Sequence, residues 1–187
     1  MRSRFLLALA FACIPVLAGI RPASFVPWRI LKAGEQPVAA PLSVYWIPAS
    51  HDDFRHSELL HSDDLSLFST QCVAMQVVRP EDEGMVAKLD SDGKLPIVVL
   101  FDGDGRELAR LHPEKGPLRV EEVESMVRAE LDERGSAADQ LLDQAREKAE
   151  AGETSAAIAI YSRVLNQRCT CPRQARAAQR ALKKLKR

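Results

Sequence analysis

The chain has 187 residues, 46% hydrophobic and 28% charged, a composition that excludes a disordered or fibrous protein and allows one ordinary domain plus a small appendage. Its net charge is zero but unevenly spread: residues 38–135 hold 20 Asp/Glu against 10 Lys/Arg, and the remainder carries the compensating +10. The 4 cysteines, Cys13, Cys72, Cys169 and Cys171, are too few for a disulfide scaffold at this length.

Arg2 and Arg4 precede an uncharged apolar run over residues 5–20, the n-region and h-region of a secretory signal. Residues 1–20 are therefore expected to be a signal peptide, cut after Ala18, or an uncleaved N-terminal anchor. Residues 21–41 contain Pro22, Pro27, Pro37 and Pro41 and read as an extended linker. In it, Phe25, Val26 and Trp28 beside Arg29 suit either a membrane interface or the covered edge of the next domain.

Residues 42–47 form an apolar run rich in strand formers, a buried strand. Residues 52–69 carry a helical apolar face with a break near Ser62–Asp64, where Ser62 or Asp63 starts a new helix as N-cap. A second buried strand covers residues 72–78, with Cys72 read as core, and a short helix covers 81–89. Pro96 opens a third strand over 97–101, where a proline is tolerated. Asp102-Gly103-Asp104-Gly105 is a hairpin signal leading to a return strand over 106–111. A helix over 118–133 follows, with Val120, Val123, Val127 and Leu131 on one stripe.

Beyond Gly135 alanine becomes frequent and strand formers scarce. Helices are expected over 137–151, 154–167 and 172–186. The last carries seven Lys/Arg to the chain end and no acid, a face suited to an acidic protein or to anionic head groups. Its small apolar residues offer weak burial, so this tail is expected to be the least stable element and to order on a partner.

The strand–helix–strand–helix–strand–turn–strand layout of residues 42–133 resembles the thioredoxin superfamily. In that family an aromatic-ending strand runs into a Trp-Cys-x-x-Cys turn at a helix N-terminus, faced by a cis-proline. Tyr45-Trp46 ends the matching strand here, and the two cysteine positions fall at Ser50 and Asp53. Pro96 matches the cis-proline position, so the resemblance implies a cis Leu95–Pro96 bond. Serine cannot replace the thiolate of disulfide exchange, so this site is expected to be degenerate. Residues 152–165 resemble the second helix of a tetratricopeptide repeat, with Ala157, Tyr161 and Leu165 at its packing positions and Leu141 and Ala145 at those of the first.

Other constellations are weaker. Ser50-His51-Asp52 are adjacent and point apart, unlike a triad. His51, His56 and His61 recur every five residues, about 140° apart on a helix, so they share no face for a metal. Cys169-Thr170-Cys171 lies beside Arg168 and Arg173 ahead of a helix, a setting that favours thiolate and makes these two the candidate redox pair.

The expectation is an exported α/β protein: a thioredoxin-like central sheet flanked by helices over residues 42–135, then a tetratricopeptide-like helical hairpin with a capping helix over 136–187. It lies in the periplasm or is anchored at the membrane by its N-terminal segment. Its role is to bind another protein, with membrane contact through the N-terminal segment or the basic tail, no nucleic acid and no cofactor. The alternative is a thiol–disulfide oxidoreductase acting through Cys169 and Cys171.

Overall fold

The computed structural model describes residues 25–89 and 93–185; the expected leader, with Cys13, lies outside them. Five strands form one mixed sheet: β1 (Arg29–Ile30), β2 (Leu42–Ile47), β3 (Val73–Val77), β4 (Ile97–Asp102) and β5 (Glu107–Leu111), in the order β1-β3-β2-β4-β5. β1, β3 and β2 run parallel, and β4 and β5 are antiparallel additions. Among the described residues six helices accompany them: α1 (His51–His56), α2 (Asp63–Ser69), α3 (Glu83–Leu89), α4 (Val120–Glu150), α5 (Thr154–Asn166) and α6 (Pro172–Leu185). A 3-10 turn, Glu58–Leu60, separates α1 from α2.

The two-residue period of a strand explains the layers. Leu42, Val44 and Trp46 point to one face and meet Leu59, Leu65 and Phe68 beside α4 residues Val123, Val127 and Leu131. Tyr45 and Ile47 point to the other, where Val78, Ile97 and Val99 meet Leu31 and the α3 side chains Met85, Val86 and Leu89. Trp46 is fully buried between Trp28 and Phe54, with ring centroids 5.4 and 5.3 Å away. A buried aromatic of this size removes roughly 200 Å² from water, worth about 5 kcal/mol at ~25 cal/mol per Å².

The segment expected to be only a linker adds an edge strand instead. Val26 N–H donates to the Leu60 carbonyl at 3.1 Å, and the Trp28 indole donates to the Leu59 carbonyl at 2.8 Å. Val26 and Leu31 are buried, so this stretch covers the sheet edge, the second of its two sequence readings. Farther along, Val38 N–H donates to the buried Gln76 side-chain oxygen at 2.9 Å and ties the segment across the other face.

Local signals placed the caps and turns. Ser62 is the α2 N-cap: its Oγ accepts from Leu65 N–H at 2.9 Å and donates to Glu124 Oε1 of α4 at 2.6 Å. One buried hydroxyl thus starts α2 and locks it to α4. Ser62→Ala is expected to lower the unfolding free energy by about 1–2 kcal/mol, read as a lower denaturant midpoint at unchanged slope. A shift under about 0.5 kcal/mol, the range of neutral surface changes, would show that the bridge contributes nothing. At the hairpin, Asp102 Oδ1 accepts from Asp104 and Arg106 N–H at 3.0 and 2.9 Å, and Oδ2 accepts from Arg106 Nε at 3.1 Å. The backbone donor of Arg106 is the main reason that its carboxyl titrates below the usual range. Asp102 thus holds the turn through both carboxylate oxygens.

Separate helices over 118–133 and 137–151 are corrected by the structure: α4 is one 31-residue helix running through Gly135. The apolar stripe stays in phase across the glycine. Val123, Val127 and Leu131 face the sheet core, while Ala138, Leu142 and Ala145 face a second core with α5 and α6. A lone helical glycine costs only about 1 kcal/mol, too little to break so regular a pattern. Ala157 and Tyr161 of α5 and Ala178 of α6 complete that second core.

Candidate binding groove

The parallel strands β1, β3 and β2 end together, and a groove of about 550 Å³ opens there. Open α/β sheets generally bind ligands at the carboxyl ends of their strands. Ile30, Val77, Pro48 and Phe54 supply apolar walls, and His51, Arg79, Glu81 and Asp82 line the polar side.

Ser50 and Asp53 sit beside this groove, at the start of α1, and both are occupied with helix capping. Ser50 Oγ accepts from Asp53 N–H at 3.1 Å, and Asp53 Oδ2 accepts from Ala49 N–H at 2.9 Å. Each side chain satisfies a backbone donor near the other, as in a capping box. The arrangement stabilises a six-residue helix, and neither residue carries a thiol. Pro96 is buried and follows a cis Leu95–Pro96 bond, as the resemblance implied. The register Ile47↔Ile97 brings Pro96 level with Pro48, which is also buried.

The cysteines are arranged differently from expectation. Cys72 is not within a strand: it stands just before β3 with φ +60° and is half-buried. It forms a disulfide with Cys169, the two Cα atoms lying 5.7 Å apart. Cys171, the other member of the expected redox pair, is a free thiol only 2% exposed in the second core. A Cys169–Cys171 bond would close a very small, strained ring, whereas Cys72–Cys169 has relaxed Cα spacing. The bond fixes the α5–α6 connection to the start of β3. A sequence signal for it exists: once the strained neighbour pair is discounted and Cys13 assigned to the leader, only pairs with Cys72 remain.

Among the described residues no group of three or more His, Cys, Asp or Glu is placed to hold a metal ion. His56 Nδ1 lies 3.0 Å from the Asp52 carbonyl, a contact within one helix turn. Likewise, no described helix is long and apolar enough to cross a membrane. Set against known protein families and against curated proteins, the chain matches none. The residues and their geometry therefore carry the functional reading.

Proposed function

We propose that the chain is an exported, thioredoxin-like protein-binding module that has lost disulfide exchange at its helix terminus. The observation that carries this reading is the Ser50–Asp53 capping arrangement beside an open groove, at the positions where the family places its thiols. The strand layout and the place of Pro96 beside Pro48 support the fold assignment. The α4–α5–α6 packing around Ala145, Ala157 and Tyr161 supports a tetratricopeptide-like unit. The Cys72–Cys169 bond supports export, since such bonds persist in oxidising compartments. The rival oxidoreductase reading loses its support, because Cys169 is bonded elsewhere and Cys171 is buried.

The groove recognises an extended, partly apolar segment, with Phe54 and Ile30 as contacts and Arg79 and Asp82 as polar anchors. The test is amide NMR of the full chain titrated with a thiol-blocked unfolded polypeptide. Perturbations are expected at His51, Phe54, Arg79 and Asp82, and Ile30→Asp should weaken binding about tenfold, the loss of one apolar contact of about 1.4 kcal/mol. Perturbations confined to other surfaces, or unchanged affinity in Ile30→Asp, would contradict it.

A further inference from the structure

On the sheet face opposite Trp46, α3 packs over Ile47, Val78 and Val99 but leaves Tyr45 and Phe101 half-buried. A cavity of about 530 Å³ opens over these two rings, walled by α3 on one side and by residues 34–40 on another. Sites for small molecules generally have volumes of about 300–1,000 Å³. Tyr45, Phe101, Met85, Leu89 and Val38 supply the apolar surface. The two rings meet edge to face with centroids 5.5 Å apart. Val38 is 38% exposed, apolar surface that a molecule in the cavity would cover.

The uncharged polar groups gather at one place. Gln76 is the register partner of Tyr45, so both side chains leave the same face of the sheet. Gln76 is fully buried, and its Oε1 accepts from Val38 N–H at 2.9 Å. Its Nε2 lies beside the Tyr45 hydroxyl without closing a hydrogen bond, and has no partner among the described residues. Buried polar side chains are almost always hydrogen-bonded, so an orphan N–H marks a place where an acceptor belongs. Burial raises the Tyr45 pKa and the Gln76 amide only partly opposes it, so the hydroxyl keeps a proton to donate. Ser43, 5% exposed, adds a second hydroxyl to the same wall.

The charges around the cavity cancel. Glu35 pairs with Arg29, and Asp102 pairs with Arg106. Asp82 and Lys88 add one charge of each sign. Next to Phe101, Glu107 and Arg110 pair with each other. The walls therefore favour neither sign of ligand charge, and an ion would lose its hydration for no net attraction.

We propose that this cavity binds an uncharged aromatic small molecule bearing a carbonyl group, its ring on Tyr45 and Phe101 and its carbonyl oxygen on the Tyr45 hydroxyl. That hydroxyl donates to the ligand and, held in place, accepts from Gln76 Nε2–H, so one ligand satisfies both protein groups. Such chains of hydrogen bonds reinforce one another away from water. The site is separate from the groove at the strand ends and does not rest on the reading given to that groove.

The test is amide NMR of the full chain titrated with cinnamamide, and separately with cinnamate and cinnamylamine, which carry the same ring with a negative or a positive charge. Cinnamamide is expected to bind with a Kd below about 1 mM. It should shift the backbone signals of Ser43, Tyr45 and Phe101 and the side-chain amide pair of Gln76. Each charged analogue should bind at least about fivefold more weakly. Tyr45→Phe keeps the ring and should weaken cinnamamide about fivefold, the loss of one hydrogen bond. Phe101→Leu keeps most of the apolar volume and should weaken it by a similar factor through the lost ring contact. Lys88→Ala should leave it unchanged. No saturable binding at millimolar concentration, shifts confined to the groove residues His51 and Phe54, or native affinity in a folded Tyr45→Phe overturns the proposal. So does a preference for cinnamate that vanishes in Lys88→Ala, which would make the ligand an anion.

Discussion

Reducing the Cys72–Cys169 disulfide is expected to lower the unfolding free energy by about 4 kcal/mol, the chain-entropy value for a long loop being ~4.7 kcal/mol. The bond spans 97 residues, so its loss restores a large freedom to the unfolded chain. For a chain of this size the loss corresponds to roughly 10 °C in melting temperature. Denaturant melts with and without reductant measure it, and a Cys72→Ala/Cys169→Ala variant should melt low and ignore reductant. The native fold should survive, because α4 runs unbroken from one core to the other and both cores stay packed. Identical melts with and without reductant would show that the bond is not formed or does not constrain the chain. Cys171 should resist thiol-modifying reagents until unfolding, being 2% exposed.

Much of the sheet was legible in the residues. Leu42–Ile47 sends alternate side chains to two different cores, and its content of Val, Tyr, Trp and Ile announced a strand buried on both sides. Ser62 as N-cap and the Asp102–Gly105 turn were readable because capping and hairpin chemistry are local. The strand β1 was not. Two residues between prolines carry no periodicity, and Arg29–Ile30 becomes a strand only because β3 offers an edge to pair with.

The candidate site was half legible. Ser50, Asp53 and Pro96 were placed by likeness to a family pattern, and what they do there could be read only from geometry: two of them cap a helix and the third sits level with Pro48. The cysteine pairing was misread because local context decided it. Arg168, Arg173 and a helix start argued for reactive thiols, but a partner 97 residues away had claimed Cys169. The change of composition at Gly135 was also real without being a break, since it marks where one helix passes between two cores.

The proposed function has a thioredoxin-like frame carrying helix-capping residues, Ser50 and Asp53, where that family places its thiols. Its most direct test is insulin reduction by the native chain beside Ser50→Cys/Asp53→Cys. The change places a Cys-x-x-Cys pair at the start of α1, with the helix N-terminus to lower the first thiol's pKa. It removes the Ser50 cap at a cost of about 1 kcal/mol, small against the stability of a domain. The native chain is expected to show no turnover above a cysteine-free control, and the variant to form the new disulfide and gain turnover. Turnover by the native chain that disappears in Cys169→Ser, or a folded variant whose new cysteines neither pair nor react, would contradict the account.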